Sequence, residues 1–242
     1  MEQDTTPANV PRSPFLDRLG ISAVIFDLDG VLIDSLPYHY LSYRQMMAEA
    51  GLPVSEMDIY LREGLGTPEV LESLSEEKGW GLTAERIGEL TSRRRALYQE
   101  VYEHRVFPEV PELLTWLTEA GYRLGVVSGA TKRSVDLCLN QCRIEGGGGC
   151  LGQWFSLVVS GSAVERGKPH PEPYLKALEQ LGLEGRQVLV VENAPAGVNS
   201  ARAAGCYVAA LETTLPRAYL KGAQWILANH AALLRLLRHG IE

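Results

Sequence analysis

The chain has 242 residues, 45% of them hydrophobic and 22% charged, with a net charge of −7. That length can bury a sizeable core in one large or two smaller domains, and the acidic balance argues against nucleic acid or an anionic membrane as the main partner. No apolar run approaches the roughly 20 residues that span a bilayer.

Residues 1–20 mix Glu2, Asp4, Pro7, Pro11 and Pro14 with no apolar segment. They predict a flexible tail and no secretory signal, hence a cytoplasmic protein. Ala23-Val24-Ile25-Phe26 then runs straight into Asp27-Leu28-Asp29-Gly30. An apolar run without alternation suits a strand buried on both faces, as in a parallel sheet. Ligands reach such strands at their carboxyl ends. If Asp27 is extended, Asp27 and Asp29 project to one side, and paired carboxylates need a cation or a shared proton. Asp-Gly is also an ordinary turn signal.

Pro37 opens a helix that runs to about Ala50, with Gly51 as its stop. His39 lies one turn into it, close in sequence to the paired Asp residues. Residues 52–107 read as nearly all helix. Glu69–Lys78 carries Val70, Leu71 and Leu74, and Thr83 caps a long helix with Ile87, Leu90, Leu97, Tyr98 and Val101 at helical spacing. A block of this size is too large for a crossover loop and predicts a separate helical cap over 35–107. Arg62, Arg93, Arg94 and Arg95 are candidates to meet an anionic substrate, although at least two of the last three fit a solvated helix face.

Helix and strand alternate from Val110 onward. A helix with Leu113, Leu114 and Leu117 ends at Gly121, and Leu124–Val127 is a buried strand that delivers Ser128-Gly129-Ala130-Thr131. A hydroxyl there can bind phosphate with backbone N–H groups, or simply cap a helix. Gly146–Gly149 is a flexible loop. Cys138 and Cys142 share an apolar stripe with Val135 and Leu139, with no His nearby, so the cysteines read as reduced packing thiols. A strand over Phe155–Val159 precedes Gly167-Lys168-Pro169-His170-Pro171 and a helix from about Tyr174 to Leu181. Val188–Val191 is a buried strand ending in Glu192-Asn193, and its following helix stops at Gly205. Cys206–Leu211, an edge strand at Trp225–Leu227 and a helix over Ala231–Arg238 close the chain. The fold class is a doubly wound α/β core, over 21–34 plus 108–242, with an inserted helical cap.

Four stretches, in order and each at a strand end, carry a family resemblance. Phe26-Asp27-Leu28-Asp29-Gly30-Val31, Ser128, Gly167-Lys168-Pro169-His170-Pro171 and Glu192-Asn193 resemble the motifs of the haloacid dehalogenase-like (HAD) hydrolases. The helical block after the first motif resembles the branch that holds β-phosphoglucomutase and phosphoglycolate phosphatase. The resemblance implies a phosphatase for a small phosphate ester, monomeric or homodimeric. Asp27 would be the nucleophile that becomes an aspartyl-phosphate and Asp29 the general acid and base. Lys168 would neutralise the nucleophile, lower its pKa and keep it ionised, while Ser128 and Gly129 bind the phosphoryl oxygens. His39 and Arg62 would line the substrate site. Mg²⁺ would be held by Asp27, the Asp29 carbonyl, and Glu192 or Asn193. The family's fourth motif is usually Glu-Asp or Asp-Asp, so Asn193 is a departure. A sugar-phosphate mutase shares the two Asp residues, but its cap carries an Arg where Gly64-Leu65-Gly66-Thr67 places Thr67. A non-catalytic binding protein is a third reading, opposed by the presence of Asp27, Asp29 and Lys168 together.

Overall fold

The structure is a computed structural model. It describes residues 10–240 apart from 104, 143 and 145–148, so most of the Gly146–Gly149 stretch lies outside the described residues. Six strands form one parallel sheet: β1 (Ala23–Phe26), β2 (Arg123–Val127), β3 (Leu157–Val159), β4 (Val188–Glu192), β5 (Tyr207–Leu211) and β6 (Trp225–Leu227). Their spatial order is β3-β2-β1-β4-β5-β6, with β1 bonded to β2 on one side and to β4 on the other. The order reverses around β1, which is where a doubly wound sheet opens a crevice for ligands.

The unbroken apolar runs follow from cover on both faces. Val24 and Phe26 of β1 join Leu189 and Val191 of β4 in one core cluster. Ala23 and Ile25 join Val188 and Val190 in the other. The first cluster is closed by α1 (Pro14–Arg18), by two later helices, α6 (Val110–Glu119) and α7 (Lys132–Gln141), and by the last helix, α10 (His230–His239). The second is closed by α8 (Glu172–Leu181) and α9 (Pro195–Ala203).

Between β1 and α6 the described residues make four helices, α2 (Leu36–Glu49), α3 (Glu56–Tyr60), α4 (Thr67–Lys78) and α5 (Ala84–Val101). They bury a core of their own around Met46, Met47, Leu71, Leu74 and Leu97. Ser55 opens α3 with a reciprocal capping box to Asp58, and Thr83 caps α5 through Arg86 N–H. Gly79 ends α4 in the left-handed region. The block departs from continuous helix at residues 61–66, where successive turns carry Gly64 at φ +85°.

The expectation of a free tail over 1–20 fails from Ser13 onward. Ser13 caps α1 and donates its hydroxyl to the Leu237 carbonyl, while its N–H reaches the Tyr122 hydroxyl at 3.1 Å. Phe15 meets Trp225 edge-on at 5.2 Å, and Leu16 is fully buried. A five-residue helix is too short to announce itself by periodicity, and it stands only because α10 and the sheet cover it. Leu16→Ala should therefore destabilise the fold by about 2–5 kcal/mol, as for a core leucine. Urea unfolding measures this, and an unchanged midpoint would mean that the segment is not part of the core.

Candidate active site

Each strand that meets at the switch point ends in a polar residue. Asp27 follows β1, Ser128 follows β2, and Glu192 closes β4. All three are buried, because the apolar strands hold them at the rim of the core. Lys168, on the connection between β3 and α8, is 4% exposed and reaches into the same space. Its Nζ donates to Asp27 Oδ1 at 2.6 Å, Glu192 Oε1 at 2.6 Å and the Val127 carbonyl at 3.1 Å. The Tyr174 ring lies 5.2 Å beneath the ammonium. Burial opposes the charge on Lys168, but Asp27 and Glu192 outweigh it and hold the ammonium well above its ordinary pKa.

Asp27 behaves otherwise than the sequence suggests. Burial, with Glu192 and Asp29 beside it, pushes its carboxyl up to about 7, against the pull of Lys168. The lysine does not keep Asp27 strongly acidic because its charge is shared with Glu192. Asp29 moves the other way. Burial raises it, but His39 and then Ser35 and Arg94 more than compensate, and its pKa falls below the usual value. Ser35 Oγ donates to Asp29 Oδ1 at 2.5 Å, and His39 Nε2 stands 3.5 Å from the same oxygen. Arg94 donates to His39 Nδ1, so the ring's remaining proton belongs on Nε2, facing Asp29. Burial and Arg94 lower the His39 pKa, which keeps that imidazole neutral.

Glu192 sits too deep to face a metal. Oε1 accepts from Lys168 and from the Tyr174 hydroxyl at 2.8 Å, while Oε2 accepts from the Asn193 N–H at 3.0 Å. The expectation that Glu192 is a metal ligand thus meets a carboxylate whose two oxygens already serve Lys168 and the backbone. Asn193 is different. Its Nδ2 donates to Thr214 Oγ1 at 2.9 Å, and its Oδ1 is buried without a partner. Gly30, at φ +77°, lets that amide lie against the first motif, since a Cβ there would stand 2.1 Å from Asn193 Nδ2.

Ser128 Oγ accepts from the Ala130 N–H at 3.1 Å, and its own N–H is tied to the Val159 carbonyl. Gly129 is exposed and faces the inserted helices: a Cβ on it would come 3.0 Å from the Gly64 carbonyl. The loop over 61–66 is therefore docked on the rim of the sheet.

Arg62 is not in the site. Its guanidinium donates to Ser73 Oγ at 2.9 Å and to the Asp58 carbonyl at 2.9 Å, and it pairs with Glu77, all inside the helical block. Arg93 pairs with Glu49 at the surface, and Arg95 is exposed. Arg94 turns inward instead, 4.6 Å from the centre of the Tyr43 ring and 4.9 Å from that of Tyr98, with bonds to Ser42, Thr67 and His39. Two residues went unnoticed in the sequence, Glu63 and the orienting Ser35. Glu63 sits beside Gly64, and Asp27, Asp29, Glu192 and Asn193 all act on its carboxyl. A carboxylate ahead of Gly64-Leu65-Gly66 was the available signal, hidden by the reading of residues 52–107 as nearly all helix.

These positions agree with what the chain resembles. A model of the haloacid dehalogenase-like hydrolases matches residues 21–205. The chain is 34% identical over 193 residues to a phosphoglycolate phosphatase of Haemophilus influenzae, covering 77% of this chain and 83% of the relative. It is 30% identical over 191 residues to a phosphorylated carbohydrates phosphatase of Thermotoga maritima, covering 76% and 82%. A solved structure described as a putative beta-phosphoglucomutase from Bacteroides vulgatus superposes with a TM-score of 0.76 at 29% identity, covering 89% of this chain and 87% of the other. With four motif positions converging at the ends of β1, β2 and β4, and a helical block inserted after the first of them, this chain belongs to the haloacid dehalogenase-like hydrolases.

Proposed function

We propose that this hydrolase cleaves the phosphate ester of a small metabolite through a phosphoryl group carried on Asp27. The observation that carries this reading is the buried Lys168 bridge to Asp27 Oδ1 at 2.6 Å, beside a second carboxylate in a different electrostatic environment. The named relatives act on phosphoglycolate and phosphorylated carbohydrates, which suggests an ester of that size.

In this reading Asp27 Oδ2 attacks phosphorus, since Oδ1 is held by Lys168. The P–O bond to the alcohol breaks as the acyl-phosphate forms, and Asp29 gives the leaving oxygen a proton. Asp29 then takes a proton from water as that water attacks phosphorus, which frees phosphate and restores Asp27. The lowered pKa of Asp29 suits the second step, where it is a base. For the first step its proton must arrive with the substrate, whose negative charge beside Asp29 pulls a proton onto it. Ser35 and His39 orient the carboxylate throughout. Lys168 would act through its charge beside Asp27, and Ser128 would offer its hydroxyl to a phosphoryl oxygen.

Among the described residues no three His, Cys, Asp or Glu side chains form a ready metal cage. Mg²⁺ does not need one, because it keeps several waters and takes one or two carboxylates. The unpartnered, buried Asn193 Oδ1 is a hard oxygen of the right kind. Asp27, the Asp29 carbonyl and Asn193 would hold the ion, which would supply positive charge to the transferring phosphoryl group. Glu192 would act one step back by fixing Lys168.

A mutase is the second reading, kept because Arg94 donates to Thr67 at 3.4 Å and so brings a cation to the place where a mutase cap carries its Arg. Release of inorganic phosphate, against conversion of a sugar phosphate to its isomer, separates the two.

Asp27→Asn should abolish turnover while leaving the fold intact; phosphate release by the folded variant at the wild-type rate would overturn the covalent route. Asp29→Ala should slow alkyl phosphates by about 10²–10⁴-fold and aryl phosphates much less, because the poorer leaving group needs the proton more. Equal losses would leave Asp29 without an acid's role. Arg62→Ala should leave KM and kcat near wild type and lower stability by about 1–3 kcal/mol, by removing hydrogen bonds inside the helical block. A tenfold rise in KM would return Arg62 to the substrate site.

A further inference from the structure

Asp27, Asp29 and Glu192 at the strand ends all act on the carboxyl of Glu63, which comes from the inserted helices. Lys168 is spent on Asp27 and Glu192, and Arg94 lies on the far side of His39. Glu63 has no cation of its own among the described residues. Its Oε2 is buried without a hydrogen-bond partner, and so is Oδ1 of the fully buried Asn193. Two unpartnered oxygens beside three further carboxylates are costly unless a proton or a cation joins them, and a divalent cation would serve both oxygens and the neighbouring carboxylates at once.

The backbone holds Glu63 there. Gly64, at φ +85°, packs so that a Cβ would stand 3.5 Å from Ala196 Cβ and 3.8 Å from Lys168 Cδ, and its carbonyl faces Gly129. A left-handed position beside the core is one that other residues fill only with strain. The turn therefore holds the residue before Gly64 beside Lys168 and Ala196, at the rim of the sheet.

We propose that Glu63 supplies the negative charge that Asn193 lacks, so that the divalent cation of this site is held jointly by the sheet and by the loop over 61–66. This rests on the metal-assisted reading above. It makes ion binding and docking of the helical block one event. Asn193 alone offers the ion an uncharged oxygen, and Glu63 completes the ligand shell, directly or through water, only when the loop is seated.

The test is a Mn²⁺ titration of the full chain, with free Mn²⁺ counted by electron paramagnetic resonance, for wild type, Glu63→Gln, Asn193→Asp, the double variant and Asp27→Ala. Glutamine has the shape of a protonated glutamate and no charge. Glu63→Gln should weaken Mn²⁺ about tenfold or more, in the range seen when groups around a metal are lost. Asn193→Asp should tighten it, and the double variant should regain most of the affinity that Glu63→Gln loses. Circular dichroism checks that each variant is folded. If Asp27→Ala loses Mn²⁺ while Glu63→Gln binds it like wild type, the site stands and Glu63 is excluded from it. If wild type binds no Mn²⁺, the metal-assisted reading falls with the proposal.

Discussion

The buried ammonium of Lys168 is the interaction on which the site depends. It lies 2.6 Å from one oxygen of Asp27 and 2.6 Å from one of Glu192, with the Val127 carbonyl as its third acceptor. Those acceptors come from the ends of β1, β4 and β2. One cation thus ties together the three central strands at their carboxyl ends. A charge so buried is tolerable only because it is paired and fully hydrogen-bonded. Losing it would leave two buried carboxylates facing each other, so the same group is structural glue and electrostatic control.

The surroundings of Lys168 decide how the acids divide their work. Glu192 takes a share of the ammonium and gains the Tyr174 hydroxyl and a backbone N–H, which leaves it no free oxygen. Asp27 keeps the rest of that charge and, with burial against it, rises to about 7. Asp29 sits outside the lysine's reach and is governed instead by Ser35 and a neutral His39 that Arg94 orients. Two carboxylates one residue apart, Asp27 buried and Asp29 partly so, have opposite shifts, and since burial raises both, the difference comes from their partners.

The inserted helices contribute more than a cover. Their own core lets the block fold around Met46, Met47 and Leu71, while the turns at 61–66 bring Glu63 within the field of the strand-end carboxylates and α5 brings Arg94 onto His39. Neighbouring arginines on α5 show how narrow that selection is: Arg93 meets solvent and Glu49, whereas Arg94, one position on, is enclosed by two tyrosine rings. A helix turns about 100° per residue, so adjacent side chains serve different surfaces.

The sequence by itself determined the sheet, its order of motifs and the residues at the strand ends, because each depends on short-range features. Unbroken apolar runs mark strands covered on both faces, and polar residues that interrupt them fall at the rim, as Asp27, Ser128 and Glu192 do. The helix start at Thr83 and the stops at Gly51 and Gly121 were legible for the same local reason. Only the tertiary structure decided which charges meet. Arg62 looked free for substrate and is bound to Ser73, Asp58 and Glu77. Glu192 looked like the metal's acid and is turned to Lys168. Glu63 drew no notice in the sequence and feels the charges of Asp27, Asp29 and Glu192, and Pro14–Arg18 looked like a tail and is locked under α10. In each case the deciding partner lies far away along the chain or comes from a different element, and a side chain's direction is fixed by that packing, which no local pattern of residues encodes.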